Sequence, residues 1–184
     1  MRTSHFSLVL ATLFIAPTSF AQPADSANSW TQEPTQFLGV PFQGDFKAQI
    51  PECPAKPLRP TSLCRLATAD SEKFEIRGLP YIPISSGYQL FATVKGKEVD
   101  QLMLTGDASS LELVDDFLSD TLGQPGSSLS RRIQLSSGAS YEIKTISWEG
   151  KQVAVHFQRN ENDLSRYAVI FTAARAKPLS DPSS

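Results

Sequence analysis

Side chains able to carry acid–base, nucleophilic or metal chemistry are few in this sequence, and their spacing rarely brings them together. His156 lies in an alternating stretch in which Val153, Val155 and Phe157 share one side and Ala154, His156 and Gln158 the other. That pattern places it on the polar face of a strand. To act as a general base it would need a nucleophile and an orienting acid beside it, and no serine sits in a Gly-x-Ser-x-Gly elbow. A surface histidine on a sheet is the expectation. Asp107, Glu112, Asp115, Asp116 and Asp120 cluster in sequence, but glycoside chemistry needs two carboxylates facing each other across a cleft, about 5 to 9 Å apart. Strung along one helix, they read as a solvated face with dipole compensation at its start, or as an acidic recognition patch. Asn160-Glu161-Asn162-Asp163 lacks the alternating ligands, glycine and closing glutamate of a calcium loop. Arg131-Arg132 is too short for a nucleic-acid patch, and no phosphate-cradling or dinucleotide glycine motif occurs. No catalytic residue, metal or cofactor is therefore expected.

The two cysteines are more informative. Cys53 and Cys64 enclose a short segment stiffened by Pro54, Pro57 and Pro60. A metal site would need further ligands near them, and a redox pair would normally be Cys-x-x-Cys. A structural disulfide closing a small loop is the expectation, which implies an oxidising compartment.

The N-terminus agrees with that compartment. Arg2 precedes an apolar run from Phe6 to Ala16, followed by Pro17 and Ser19-Phe20-Ala21, with small residues at −3 and −1 of a cleavage site. The run is well short of the roughly 20 residues that span a bilayer. Residues 1–21 are read as a signal peptide, 22–36 as a flexible polar leader, 37–176 as a single domain and 177–184 as a disordered tail. Cleavage removes His5, leaving His156 as the one histidine. No cysteine near the cleavage site offers lipid attachment, so no stable membrane anchor is expected once the signal is removed. A soluble periplasmic or secreted protein follows. With 17 basic and 19 acidic residues and a formal net charge of −2, nucleic acid is not an expected partner.

The elements that would position these side chains follow from periodicity. A short helical turn is expected over 44–50, a strand over 73–77 and an extended proline-rich stretch over 79–83. Residues 88–94 and 98–104 read as a hairpin around Lys95-Gly96-Lys97, with Leu90, Ala92 and Val94 on one face and Phe91 on the other. Residues 110–122 form the clearest helix, with Leu111, Val114, Phe117, Leu118 and Leu122 as its apolar stripe. Ser109 and Glu112 have the spacing of a capping box, and Gly123 and Pro125 supply the stop. After a polar stretch around 126–132, strands are expected over 141–148, 152–158 and 166–172, with Tyr167, Val169 and Phe171 on one face. The fold class is α+β: an antiparallel sheet of meander hairpins with one amphipathic helix packed across it. The first half, a helical turn then strands, reads either as an ordinary α+β arrangement of its own or as a degenerate copy of the second.

The stretch from Ser109 to Phe157, with its helix ending Leu122-Gly123-Gln124-Pro125 and a later Trp148-Glu149-Gly150 turn, resembles small exported bacterial helix-plus-meander modules. These include the β-lactamase-inhibitor-protein fold and an outer-membrane assembly lipoprotein similar to it. The resemblance implies a protein-binding surface on the open face of the sheet and no catalysis. The chain departs from the lipoprotein in lacking a lipidation cysteine. Aromatic side chains exceed what one helix covers, and Tyr88, Phe91 and Trp148 are the candidate binding residues. The expected function is a non-catalytic protein-binding module: an inhibitor, an immunity-type protein or an envelope-assembly accessory. A small hydrolase using carboxylates with His156, or a small-molecule or lipid carrier, are the alternatives.

Overall fold

A computed structural model of the chain describes residues 30–56, 59–134 and 138–174. The expected signal peptide, the tail and most of the leader lie outside these residues. No helix among them is long and apolar enough to cross a membrane.

The chain begins with a two-stranded hairpin, β1 (Gln36–Phe37) and β2 (Val40–Pro41), and a single helical turn, α1 (Phe46–Gln49). Asp45 caps that turn by accepting from the Ala48 N–H. Four strands follow: β3 (Cys64–Ala67), β4 (Lys73–Arg77), β5 (Gln89–Lys95) and β6 (Glu98–Asp107). A 3-10 turn, Ala108–Ser110, leads into α2 (Leu111–Leu122), and then come β7 (Ser127–Gln134), β8 (Ser140–Glu149), β9 (Val153–Arg159) and β10 (Arg166–Ala173). The last eight strands form one antiparallel sheet in the order β3-β4-β5-β6-β10-β9-β8-β7. The two strands that end each run, β6 and β10, meet at its centre with Val169 opposite Leu104.

Alternation along each strand sends one set of side chains to a common inner face. Leu90, Ala92, Leu102, Leu104, Val155, Val169 and Phe171 are fully buried there. Helix α2 supplies Val114, Leu118 and Leu122 to the same core, all with no exposed surface. Each such side chain contributes roughly 1.5–3 kcal/mol relative to leaving it in water. The N-terminal segment closes the core, with the Phe37 ring tilted against Phe171 at 4.1 Å, Phe42 stacked on the same ring at 5.8 Å, and Phe46 at 5.5 Å from Phe74. An α+β fold, with the helix on one side of an antiparallel sheet, is thus what the alternating sequence builds.

Three local readings need correction. Ser109 and Glu112 do not form a capping box: Asp107 accepts from the Ser109 N–H at 2.8 Å and caps the 3-10 turn, while Ser110 occupies the helix cap position without a side-chain bond. The extra 3-10 turn moves the helix start by one residue, which takes Ser109 out of capping register. The polar stretch at 126–132 is largely β7, an edge strand whose side chains are nearly all exposed and therefore carry no burial alternation. Residues 64–67, for which the sequence suggested no element beyond the cysteine that closes the loop, form β3.

The disulfide is formed, with Cys53 and Cys64 joined at 2.06 Å. It pins residues 51–53 along β3, where the Cys53 N–H donates to the Arg65 carbonyl and the Arg65 N–H donates to the Pro51 carbonyl. Arg65 reinforces the seam through the Ile50 carbonyl and the Glu52 carboxylate. One edge of the sheet is therefore closed by the chain itself.

Candidate functional site

The side chains that alternate away from the core form the outer face of the sheet. One row crosses all eight strands in register: Leu66, Glu75, Phe91, Met103, Ile170, His156, Ser147 and Ser127. At its middle Phe91, Met103 and Ile170 are direct cross-strand neighbours, each half-buried although it points away from the core. Leu66 at one end is 37 % exposed. Directly opposed side chains on a sheet lie about 4.5–5.5 Å apart at Cβ, so these three form a continuous apolar strip.

Charged groups frame the strip on the β4 side. The Lys73 ammonium sits 4.8 Å from the Phe91 ring centre, and Arg77 pairs with Glu75 at 3.2 Å. A cation over an aromatic face is attracted by the ring quadrupole and also shields it partly from water. The Lys73 side chain thus lies against part of the Phe91 ring on the outer face. On the other side of the strip stands His156, with 44 % of its side chain exposed. Its Nδ1 lies 2.9 Å from the Ser147 hydroxyl, and its Nε2 lies 3.8 Å from the Glu149 carboxylate.

A hydroxyl, an imidazole and a carboxylate thus stand in a line, which is the order of a nucleophilic relay. The backbone amides of the strand that carries Ser147 are not free to form an oxyanion site. Ser147 lies in β8 between β7 and β9, and the antiparallel ladders on both sides use the strand's amides. Among the described residues, no group of three or more metal-ligating side chains occurs.

The three binding candidates read from the sequence part company at this point in the fold. Phe91 belongs to the outer strip. Tyr88, just before β5, donates from its hydroxyl to the Pro80 carbonyl at 3.1 Å and packs against the edge of the core. Trp148 does not share a surface with Phe91: it is 1 % exposed, faces the core opposite Val155, and donates from Nε1 to the Gly123 carbonyl at 2.8 Å. The cause is parity, since Trp148 is one residue from Ser147 and successive strand residues face opposite sides. Met103 and Ile170 were missed. The same parity rule exposes them, because Met103 lies between buried Leu102 and Leu104, and Ile170 between buried Val169 and Phe171.

The acidic group of the helix region is likewise dispersed. Asp115 pairs with Lys144 at 3.6 Å, and Asp107 is taken up by its cap. The Ser109 N–H and hydroxyl hold the Asp107 carboxyl below its usual range. In the Asn/Asp loop, Glu161 pairs with Arg131, and Asp163 accepts from the Ser165 N–H and hydroxyl. The two carboxylates of this loop are thus taken up by Arg131 of β7 and by the loop's own Ser165.

A groove of about 940 Å³ lies at the end of the sheet near the helix C-terminus, lined by Trp30, Glu33, Gly123, Pro125, Trp148 and Lys151. The N-terminal segment forms one wall as a strap. Trp30 donates to the Leu122 carbonyl at 2.6 Å, satisfying one of the helix's terminal acceptors. Glu33 accepts from the Val153 N–H at 2.8 Å and from the Gln152 N–H, tying down the β8–β9 turn. Burial pushes the Glu33 carboxyl up, but bonds from the Gln152, Val153 and Lys151 amides and the Lys151 charge together hold it below its ordinary value.

The chain matches no protein-family model, no curated protein and no solved structure, so the outer strip and its surroundings stand on their own geometry.

Proposed function

We propose that this is an exported, non-catalytic protein-binding module whose contact surface is the outer face of its sheet. The observation that carries the reading is the cross-strand strip Phe91–Met103–Ile170, three large apolar side chains presented side by side on a rigid sheet. An apolar centre within a polar rim is the usual build of a protein contact surface. Lys73, Glu75, Arg77, Gln101 and Thr172 provide that rim. The disulfide fits a protein that folds in an oxidising compartment, the periplasm or the cell exterior. The sheet order supports reading the chain as two meanders, each preceded by a helical segment and joined at β6 and β10, in the manner of a degenerate tandem repeat. Among the roles such a surface serves, an inhibitor, an immunity-type protein and an envelope-assembly accessory share the same requirement, a partner protein that covers the strip.

The test is capture with a crosslinker from extract of the exported fraction, using the wild-type chain beside Phe91→Asp and Ile170→Asp. Both positions are half-exposed, so the variants are expected to fold, which a thermal melt checks. A partner retained by wild type and lost by both folded variants is the expected result. Capture of the same proteins by all three chains would overturn the assignment of the surface.

A further inference from the structure

The two edges of the sheet are treated differently. β3 is four residues long and covered by the disulfide-pinned segment at 51–53. β7 is eight residues long, contains no proline or bulge, and pairs with β8 in unbroken register. Among the described residues no strand lies on its other side, which presents a regular row of backbone donors and acceptors. Open edges of that length are normally blunted, because they template pairing with another strand. We propose that β7 pairs antiparallel with β7 of a second copy of this chain, joining two sheets into one across a two-fold axis perpendicular to the sheet.

Charge and side-chain pattern select a second copy as the occupant. Arg131 is already paired with Glu161, and Arg132 stands opposite Glu142 in β8. With one arginine paired and the other facing a carboxylate across the ladder, the edge has little net positive charge to draw an acidic peptide and little repulsion toward an identical strand. Leu129, 71 % exposed, and Ile133 lie on the outer face two residues either side of Arg131. In the register centred on Arg131, each Leu129 faces Ile133 of the second copy and each Ser130 faces its Arg132. Apolar then meets apolar and polar meets polar, while each central Arg131 keeps its own Glu161. Tyr141, 45 % exposed and opposite Ile133 in β8, extends the same apolar corner. The pairing leaves the Phe91–Met103–Ile170 strip of each copy uncovered and is independent of what binds there.

Sedimentation equilibrium of the purified protein over a wide concentration range tests this. Self-association to a dimer is expected, and Leu129→Lys and Ser130→Lys, both at exposed positions, are expected to abolish it with an unchanged melt. Under mild oxidation Arg131→Cys is expected to form a disulfide-linked dimer and Ser127→Cys is not. A monomer at every concentration, or a dimer that survives both lysine variants, would overturn the proposal. Crosslinking through position 127 as readily as through 131 would overturn the register.

Discussion

Tyr167 offers the sharpest quantitative test of the packing. Its side chain is 1 % exposed near the start of β10, edge-on to the Phe157 ring, and its hydroxyl has no hydrogen-bond partner among the described residues. The ring lies so close to Gly106 that a Cβ there would fall 2.7 Å from the hydroxyl oxygen. Leaving a buried hydroxyl unpaired costs about 1–3 kcal/mol. Tyr167→Phe keeps the ring and removes the unpaired group, so it should stabilise the protein by about 1 kcal/mol after allowance for the small void it leaves. For a domain of this size that is a rise in Tm of about 2–4 °C. A second signature is pH. Burial pushes the phenol up from 10.0 to about 12, with Arg166 pulling it down slightly and Tyr88 adding to the rise. The unfolded chain therefore ionises first. Stability present below pH 10 is lost as pH climbs toward 12, by roughly 2–3 kcal/mol at about 1.4 kcal/mol per unit. Tyr167→Phe lacks that loss, so the gap between variant and wild type should widen above pH 10. Urea titrations followed by tryptophan fluorescence at pH 7 and at pH 10 to 11 measure both effects. A variant that is less stable than wild type at neutral pH, or a gap that stays constant with pH, would refute the reasoning.

The remaining predictions concern the two devices that tie the sheet's ends. Replacing Cys53 and Cys64 together by serine reopens a short loop and should lower stability by about 2–3 kcal/mol in the chain-entropy picture, read from the urea midpoint. In the same variant, amide exchange should quicken at Arg65, whose N–H is held by the pinned segment. Glu33→Ala removes the acceptor for the Gln152 and Val153 amides and should cost about 1–2 kcal/mol. Because the folded Glu33 carboxyl titrates below its unfolded value of 4.5, its contribution is present above pH 4.5 and is lost as pH falls through the folded value. Wild type should lose stability over that acid window more steeply than Glu33→Ala, and equal acid profiles would contradict the strap.

Much of this architecture was legible wherever burial writes a period into the chain. The strands carrying Leu90, Ala92 and Val94, or Val153, Val155 and Phe157, announce themselves because one side is dry and the other wet. Helix α2 announces itself by its stripe and its glycine stop. β7 does not, because an edge strand with both faces near solvent has no reason to alternate. The disulfide was legible in the spacing of the cysteines and the lack of any further ligand beside them. The outer strip was only half visible: Phe91 stood out as the aromatic on the wrong side of its strand, whereas Met103 and Ile170 looked like ordinary members of apolar runs. What joins them is the pairing of β6 with β10, strands about sixty positions apart, and no local pattern encodes that register. Trp148 misled for the converse reason. A large aromatic beside a turn suggests a contact residue, yet one position of parity places it in the core with its indole N–H satisfied.

The central claim is that the outer face, and not the helix side, meets the partner. The most direct measurement places a photo-crosslinking side chain at Ile170 in the middle of the strip and, in a separate chain, at Leu113, 49 % exposed on α2 across the sheet. Illumination in the exported fraction should give a discrete adduct from position 170 and none from position 113. Adducts from 113 with none from 170 would contradict the account.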